Sequence, residues 1–198
     1  MVNLQTKEDV ERLRQSLGDK ANLPEPCSTP ALIAVSGLPG SGKSHFCRQL
    51  AGHLAFPVLE SDVMRRTLNP TPTHSHAESE RLFRACYMLI EDLLRKGIPI
   101  IFDATNLVEH HREQLYRIAD NAKAKLILVR VEAPPEVVQQ RLRGRRDGID
   151  QVDNSDADWD VYQRMSKTAQ RIRRNHFAVD TSRDIMPVIN KIVREVNR

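Results

Sequence analysis

Gly37-Leu38-Pro39-Gly40-Ser41-Gly42-Lys43-Ser44 is the stretch from which the rest of the chain is read. An apolar run, Ala31-Leu32-Ile33-Ala34-Val35, precedes it, and a helical pattern begins at His45 and runs to about residue 54. Strand, glycine-rich turn and helix in that order are the setting a phosphate-binding loop requires. Glycines let backbone N–H groups turn inward and approach an anion closely. The helix start adds unpaired N–H groups and the positive end of its dipole. Lys43 is then placed to reach the β- and γ-phosphates, and the Ser44 hydroxyl to bind Mg²⁺. The competing reading is a strand-to-helix turn with a chance lysine. Every fixed position of the motif is filled, which opposes it.

Composition bounds the rest. The 198 residues, 40% hydrophobic and 28% charged, suit one domain with a small appendage. We divide them into an N-terminal helix with a proline-rich linker (1–30) and a main domain (31–198). No apolar run approaches the roughly 18 residues that mark a membrane span. Residues 1–14 mix acids and bases without an apolar core, so no secretory leader is expected. Cys27, Cys47 and Cys86 lie far apart with no C-x-x-C, which suits a reducing cytoplasm rather than disulfides or zinc. The net charge of +4 and pI of about 9.1 allow an anionic substrate but are too mild to argue for nucleic acid. Basic residues cluster at 141–146 and 171–174. Such runs are usually solvated helix faces and need a further reason to count.

Along the chain, residues 6–17 read as an amphipathic helix, with Thr6 and Asp9 at capping-box spacing. Apolar runs at 31–36, 57–60, 98–103, 125–131 and 176–179 read as strands. Helical patterns occupy 63–67, 77–96, 109–122, a segment opened by Pro134, 159–173 and 184–196. Five alternations of strand and helix mean a parallel sheet covered on both faces. Ligands in such sheets bind at the carboxyl ends of the strands. Ser61 and Asp62, Asp103 and Asp180 each follow a strand, so chemistry is sought there.

Asp103 ends an apolar strand in a Walker B-like position, where a carboxylate can hold a water of Mg²⁺ opposite Ser44. The alternative is a turn aspartate, because Thr105 and Asn106 favour turns. Asp62 could accept a proton from an attacking hydroxyl, and Arg65, one helical turn on, could hold an anionic acceptor. Equally, Asp62 could be a helix cap and Arg65 part of a solvated face. Arg141, Arg143, Arg145 and Arg146 precede an acidic stretch with Gly144 and Gly148 around them, the composition of a mobile lid over about 141–160. Lid arginines stabilise charge on a transferring phosphoryl group. His74/His76 and His110/His111 lack the helical spacing of a metal site.

Taken in order, Gly37 to Ser44, Ser61-Asp62-x-x-Arg65, Asp103-Ala104-Thr105-Asn106, Arg141-Leu142-x-x-Arg145 and Ser155-Asp156-Ala157 resemble the successive motifs of small P-loop kinases. The resemblance, over residues 31–196, is to ATP-binding proteins related to polynucleotide 5′-hydroxyl kinase and zeta toxin, often labelled AAA-type. It implies an α/β P-loop NTPase fold, an adenylate-kinase-like five-stranded parallel sheet of order 2-3-1-4-5 with an arginine-bearing lid. It implies ATP and Mg²⁺ at Gly37, Gly40, Ser41, Gly42, Lys43, Ser44 and His45, with Ser44 and Asp103 on the metal. His45 stands where threonine is common, while Ser44 keeps the metal-binding hydroxyl. Asp62 would be the general base, Arg65 an acceptor-phosphate ligand, and Arg141 and Arg145 the lid arginines. The activity implied is γ-phosphoryl transfer from ATP to a hydroxyl, on a polynucleotide 5′ end or a small molecule. Two other readings remain: an ATPase module without an acceptor, and a zeta-toxin-like nucleotide-sugar kinase.

Overall fold

The computed structural model describes residues 4–17, 23–146 and 157–198, with the backbone alone at 145 and 146. β1 (Ala31–Ser36), β2 (Val58–Glu60), β3 (Ile100–Asp103), β4 (Lys125–Glu132) and β5 (Phe177–Asp180) form one sheet of order β2-β3-β1-β4-β5. All four pairings are parallel. The order matches the one expected from the motifs.

The central strands are apolar throughout because both faces are covered. In β1, Leu32 and Ala34 enter one core, whereas Ile33 and Val35 enter the other, as the two-residue period of a strand dictates. The first core lies under α3 (Ser61–Leu68), α4 (His76–Arg95) and α5 (Glu109–Asn121). The second lies under α2 (Lys43–Leu54) and α8 (Met186–Val196). A third, smaller cluster joins α6 (Pro135–Arg146) and α7 (Trp159–Thr168) through Val138, Leu142 and Tyr162, with Leu38 of the glycine-rich loop packed against it. The rings of Trp159 and Tyr162 stack at 4.8 Å. Residues 147–156, the middle of the expected lid, lie outside the described residues.

Two expectations are corrected. The first helix, α1 (Leu4–Ser16), begins before Thr6, so Thr6 and Asp9 do not cap it. Both are buried, and Asp9 accepts two hydrogen bonds from Arg81 of α4, at 2.6 and 2.7 Å. Tertiary pairing has claimed the residues that local spacing assigned to a cap. Secondly, α7 stops at Thr168 although the helical pattern continues to residue 173. Ala169 turns to extended backbone (φ −64°, ψ 125°). The Gln170 N–H then donates to the Leu107 carbonyl at 2.9 Å, and Gln170 Oε1 accepts from the Glu109 N–H at 2.8 Å, closing the first turn of α5. Arg112, only 1% exposed, donates to the carbonyls of Gln170 and Arg171 at 3.0 and 3.1 Å. These bonds replace the helical ladder that the local pattern predicted.

Candidate active site

Phosphate-binding geometry is built by the turn between β1 and α2. Gly40 (φ 76°) and Gly42 (φ 87°) adopt the left-handed backbone that other residues resist. A Cβ at Gly42 would also lie 2.9 Å from Thr181 Oγ1. α2 has no side-chain cap, and its first backbone bond runs from the Phe46 N–H to the Gly42 carbonyl at 3.0 Å. The N–H groups ahead of Phe46, including that of His45, therefore point out of the helix end without a helical acceptor. A phosphate fits this cradle for the same reason. Lys43 Nζ donates to the Leu38 carbonyl at 3.2 Å, which folds the lysine back over its own loop.

Three strand ends meet there. Register places Asp103 of β3 beside Val35 of β1 and Glu60 of β2. A cleft of about 430 Å³ opens between them, lined among others by Lys43, Ser44, Asp62, Arg65 and Asp103. His45 is exposed on α2, outside that lining. Asp62 is in the first turn of α3, whose cap position is Glu60, and no side chain caps that helix. The Asp62 carboxylate therefore faces the cleft without serving as a cap.

Arg65 is 8% exposed and not free to swing. Its Nη1 donates to Glu78 at 2.5 Å and its Nη2 to the Ser79 hydroxyl at 3.3 Å, leaving Nε buried without a partner. Glu78 also accepts from Asn69 Nδ2 at 3.1 Å and from the N–H and hydroxyl of Thr73 at 2.7 and 2.8 Å. Burial raises the Glu78 pKa, but these bonds overcome it and bring the carboxyl down to about 2.

On the other rim, Arg141 of α6 donates to Thr181 Oγ1 at 2.8 Å and to the Thr181 carbonyl at 2.9 Å. Thr181 Oγ1 in turn donates to the Ser41 carbonyl at 2.7 Å. Arg141 is thus tied to the glycine-rich loop through the turn after β5. The Arg145 side chain, Ser155 and Asp156 lie outside the described residues.

Several residues that hold the site were not singled out from the sequence. Thr181, Glu78 and Arg112 are three, and Arg164 of α7, exposed at the cleft, is a fourth. Asn106, in left-handed backbone (φ 44°), donates to the Val35 carbonyl at 2.8 Å. The Ser36 hydroxyl and the Gly37 N–H both donate to the Thr105 carbonyl, at 3.0 and 3.1 Å. The turn after Asp103 is therefore locked to the strand feeding the loop. The signal for it was the Asp103-Ala104-Thr105-Asn106 turn composition. Ser75-x-x-Glu78 at capping-box spacing was the local mark for Glu78, whose N–H donates to the Ser75 hydroxyl at 3.2 Å, whereas the carbonyls of Gln170 and Arg171 that Arg112 holds are set by packing.

A parallel sheet of this order with a glycine-rich loop at its first strand is the P-loop NTPase fold in its kinase form. A family profile described as AAA domain matches residues 32–175, and the chain belongs to that family. A UPF0200 protein of Aeropyrum pernix is 32% identical over 126 residues, covering 58% of this chain and 65% of that protein. An adenylyl-sulfate kinase of Myxococcus xanthus is 27% identical over 114 residues, covering 56% of this chain and 62% of that enzyme. The match thus spans somewhat under two-thirds of each relative's length. The crystal structure of a putative kinase from Chloroflexus aurantiacus superposes with a TM-score of 0.67 at 21% identity, covering 85% of this chain and 97% of that one. Fold, loop and relatives together define a P-loop kinase-like protein. Among the described residues no helix is long and apolar enough to cross a membrane.

Proposed function

We propose that the protein transfers the γ-phosphoryl group of ATP to an acceptor hydroxyl. The observation that carries this reading is one cleft shared by Lys43 and Ser44 on one wall and Asp62 on the other, with Asp103 between them. The acceptor oxygen attacks the γ-phosphorus, the bond to the bridging oxygen breaks, and ADP leaves. The hydroxyl proton goes to the Asp62 carboxylate. Lys43 leaves the Leu38 carbonyl and stabilises charge on the phosphate oxygens, assisted by the lid arginines Arg141 and Arg145.

Ser44 and Asp103 would hold Mg²⁺. Among the described residues no three His, Cys, Asp or Glu side chains converge, so the remaining metal ligands would be water and phosphate oxygens. When bound, the ion neutralises charge on the β- and γ-phosphates. Arg65, which lines the cleft, contributes positive charge to the acceptor side, while Glu78 keeps the guanidinium in place. The name of the Myxococcus relative, an adenylyl-sulfate kinase, supports a kinase.

The test is transfer from γ-labelled ATP across 5′-hydroxyl oligonucleotides, nucleosides, sugars and sugar acids. Lys43→Ala is expected to abolish labelling. Asp62→Ala is expected to slow transfer about 10²–10⁴-fold while ATP still binds. ATP hydrolysis that no added hydroxyl compound changes would favour the module without an acceptor. Retained transfer by the Asp62 variant would remove Asp62 as base.

A further inference from the structure

Asp180 ends β5 but is not among the residues that line the cleft. Its Oδ1 instead accepts from the Ser182 N–H at 2.9 Å and from the Ser182 hydroxyl at 2.6 Å. A carboxylate bonded to the backbone two residues on closes a tight turn, and here Thr181 is the middle residue. The Thr181 N–H donates to the Glu132 carbonyl of β4 at 2.9 Å. The turn is therefore fastened by Asp180 and by the neighbouring strand, and the Thr181 hydroxyl is not required for that purpose.

The hydroxyl is engaged on the phosphate loop. Thr181 Oγ1 donates to the Ser41 carbonyl at 2.7 Å and accepts from Arg141 Nη1 at 2.8 Å. A hydroxyl has one proton to give and lone pairs to accept with, so both bonds are made at once. The Thr181 carbonyl accepts from Arg141 Nη2 at 2.9 Å. Both terminal nitrogens of a planar group are thus held by one residue, which fixes its orientation as well as its place. The guanidinium lies against the loop, with Nη1 3.1 Å from where a Cβ of Gly42 would be. Arg143, two residues further along α6, is exposed instead.

We propose that Thr181 is a positioning residue for the nucleotide, its hydroxyl setting Arg141 on the phosphate loop before ATP arrives. The inference rests on the reading of Arg141 as an arginine that stabilises the phosphates. A long side chain loses rotamer freedom when a ligand orders it, and that loss weakens binding. An arginine already fixed by Thr181 is spared the loss, and its charge needs no reorganisation when phosphate enters. A guanidinium has more N–H donors than Thr181 takes, so holding it does not use it up. Because the same hydroxyl bonds Ser41, Arg141 keeps its register with the loop. Valine has the shape of threonine and makes neither side-chain bond, whereas serine can make both.

Calorimetric titration of the full-length protein with the non-hydrolysable ATP analogue AMPPNP and Mg²⁺ tests this as a double-mutant cycle. Thr181→Val is expected to weaken binding about tenfold or more, and Thr181→Ser to bind nearly as the wild type does. Arg141→Gln should weaken binding at least as much as Thr181→Val. If Thr181 acts through Arg141, adding Thr181→Val to Arg141→Gln costs no more than about a further twofold. A residue that only supported the loop would instead multiply the two losses, and that result overturns the proposal. Wild-type affinity in Thr181→Val overturns it too, as does a serine variant as weak as the valine one. Thr181→Ala carries the same expectations should the valine variant not fold. An additive cycle on a wild type that binds AMPPNP removes this proposal alone. A wild type that binds no nucleotide removes the kinase reading with it.

Discussion

Glu78 shows how much of the site depends on a residue whose local mark is only a helix-capping spacing with Ser75. Its carboxylate gathers Arg65, Asn69 and Thr73, and so ties α3, the following loop and α4 together. Its pKa of about 2 lies below the ordinary value of 4.5. A depressed carboxyl pKa contributes stability that is complete above the unfolded value and is lost as pH falls through the folded one. The window is therefore from about pH 4.5 down to about 2. Glu78→Gln should show less loss of stability across that window in urea melts. At neutral pH it should be roughly 3 kcal/mol less stable, because the buried Arg65 charge loses its partner. Gly42 is the opposite case, a residue whose importance its motif announces. Gly42→Ala would put a Cβ 2.9 Å from Thr181 Oγ1 in left-handed backbone. ATP binding measured by calorimetry should be lost while the fold is retained.

Among the elements, α1 lies outside the family profile, as do β5 and α8, since the match covers residues 32–175. α1 nevertheless contacts both α3 and α4, whose residues line the cleft. Asp9 accepts from Arg81, and Arg14 donates to Asp92 at 2.7 Å, both on α4. Arg12 donates to the Thr67 carbonyl of α3 at 2.8 Å, and Leu13 is fully buried in the core beneath. The linker behind it is also fastened, with the Cys27 N–H donating to the Gly97 carbonyl at 2.9 Å. Asp9→Ala removes charge-assisted bonds and should cost about 1–3 kcal/mol. Hydrogen exchange should then quicken in α1 and α3 and stay unchanged in α8, which packs in the other core. Equal quickening in α8 would show that α1 supports the whole fold rather than α3 and α4 alone.

For the molecule as a whole, the sheet divides two cores, and the cleft lies where β1, β2 and β3 end between them. Ligand in that cleft contacts the phosphate loop, α3 and the turn after β3 at once, so binding should raise global stability. At 100 times its Kd a ligand adds about 2.7 kcal/mol. For a chain of this size that corresponds to a rise in Tm of roughly 5–11 °C. Scanning fluorimetry with ATP and Mg²⁺ should show that rise in the wild type and not in Lys43→Ala. A wild-type Tm indifferent to nucleotide would speak against the loop as an ATP site.

The alternation of strands and helices and the phosphate loop could be read from the chain because both rest on local rules, whereas the strand order came from the resemblance to small P-loop kinases. A buried parallel strand is apolar at every position, a phosphate loop needs glycine where φ is positive, and Asp103 ends its strand whatever surrounds it. Short-range chemistry writes such features into consecutive residues. The packing of α1 on α4 and the end of α7 could not be read in the same way. Thr6 and Asp9 match a cap, and residues 169–173 match a helix, yet partners distant in sequence, Arg81, Leu107 and Arg112, claim them. A buried ion pair or a borrowed backbone bond outweighs propensities of a few tenths of a kcal/mol per residue. The sequence by itself determined that a loop of phosphate-binding type follows the first strand. Only the tertiary structure decided that Arg65 is pinned by Glu78 and that Arg141 is tied to Thr181.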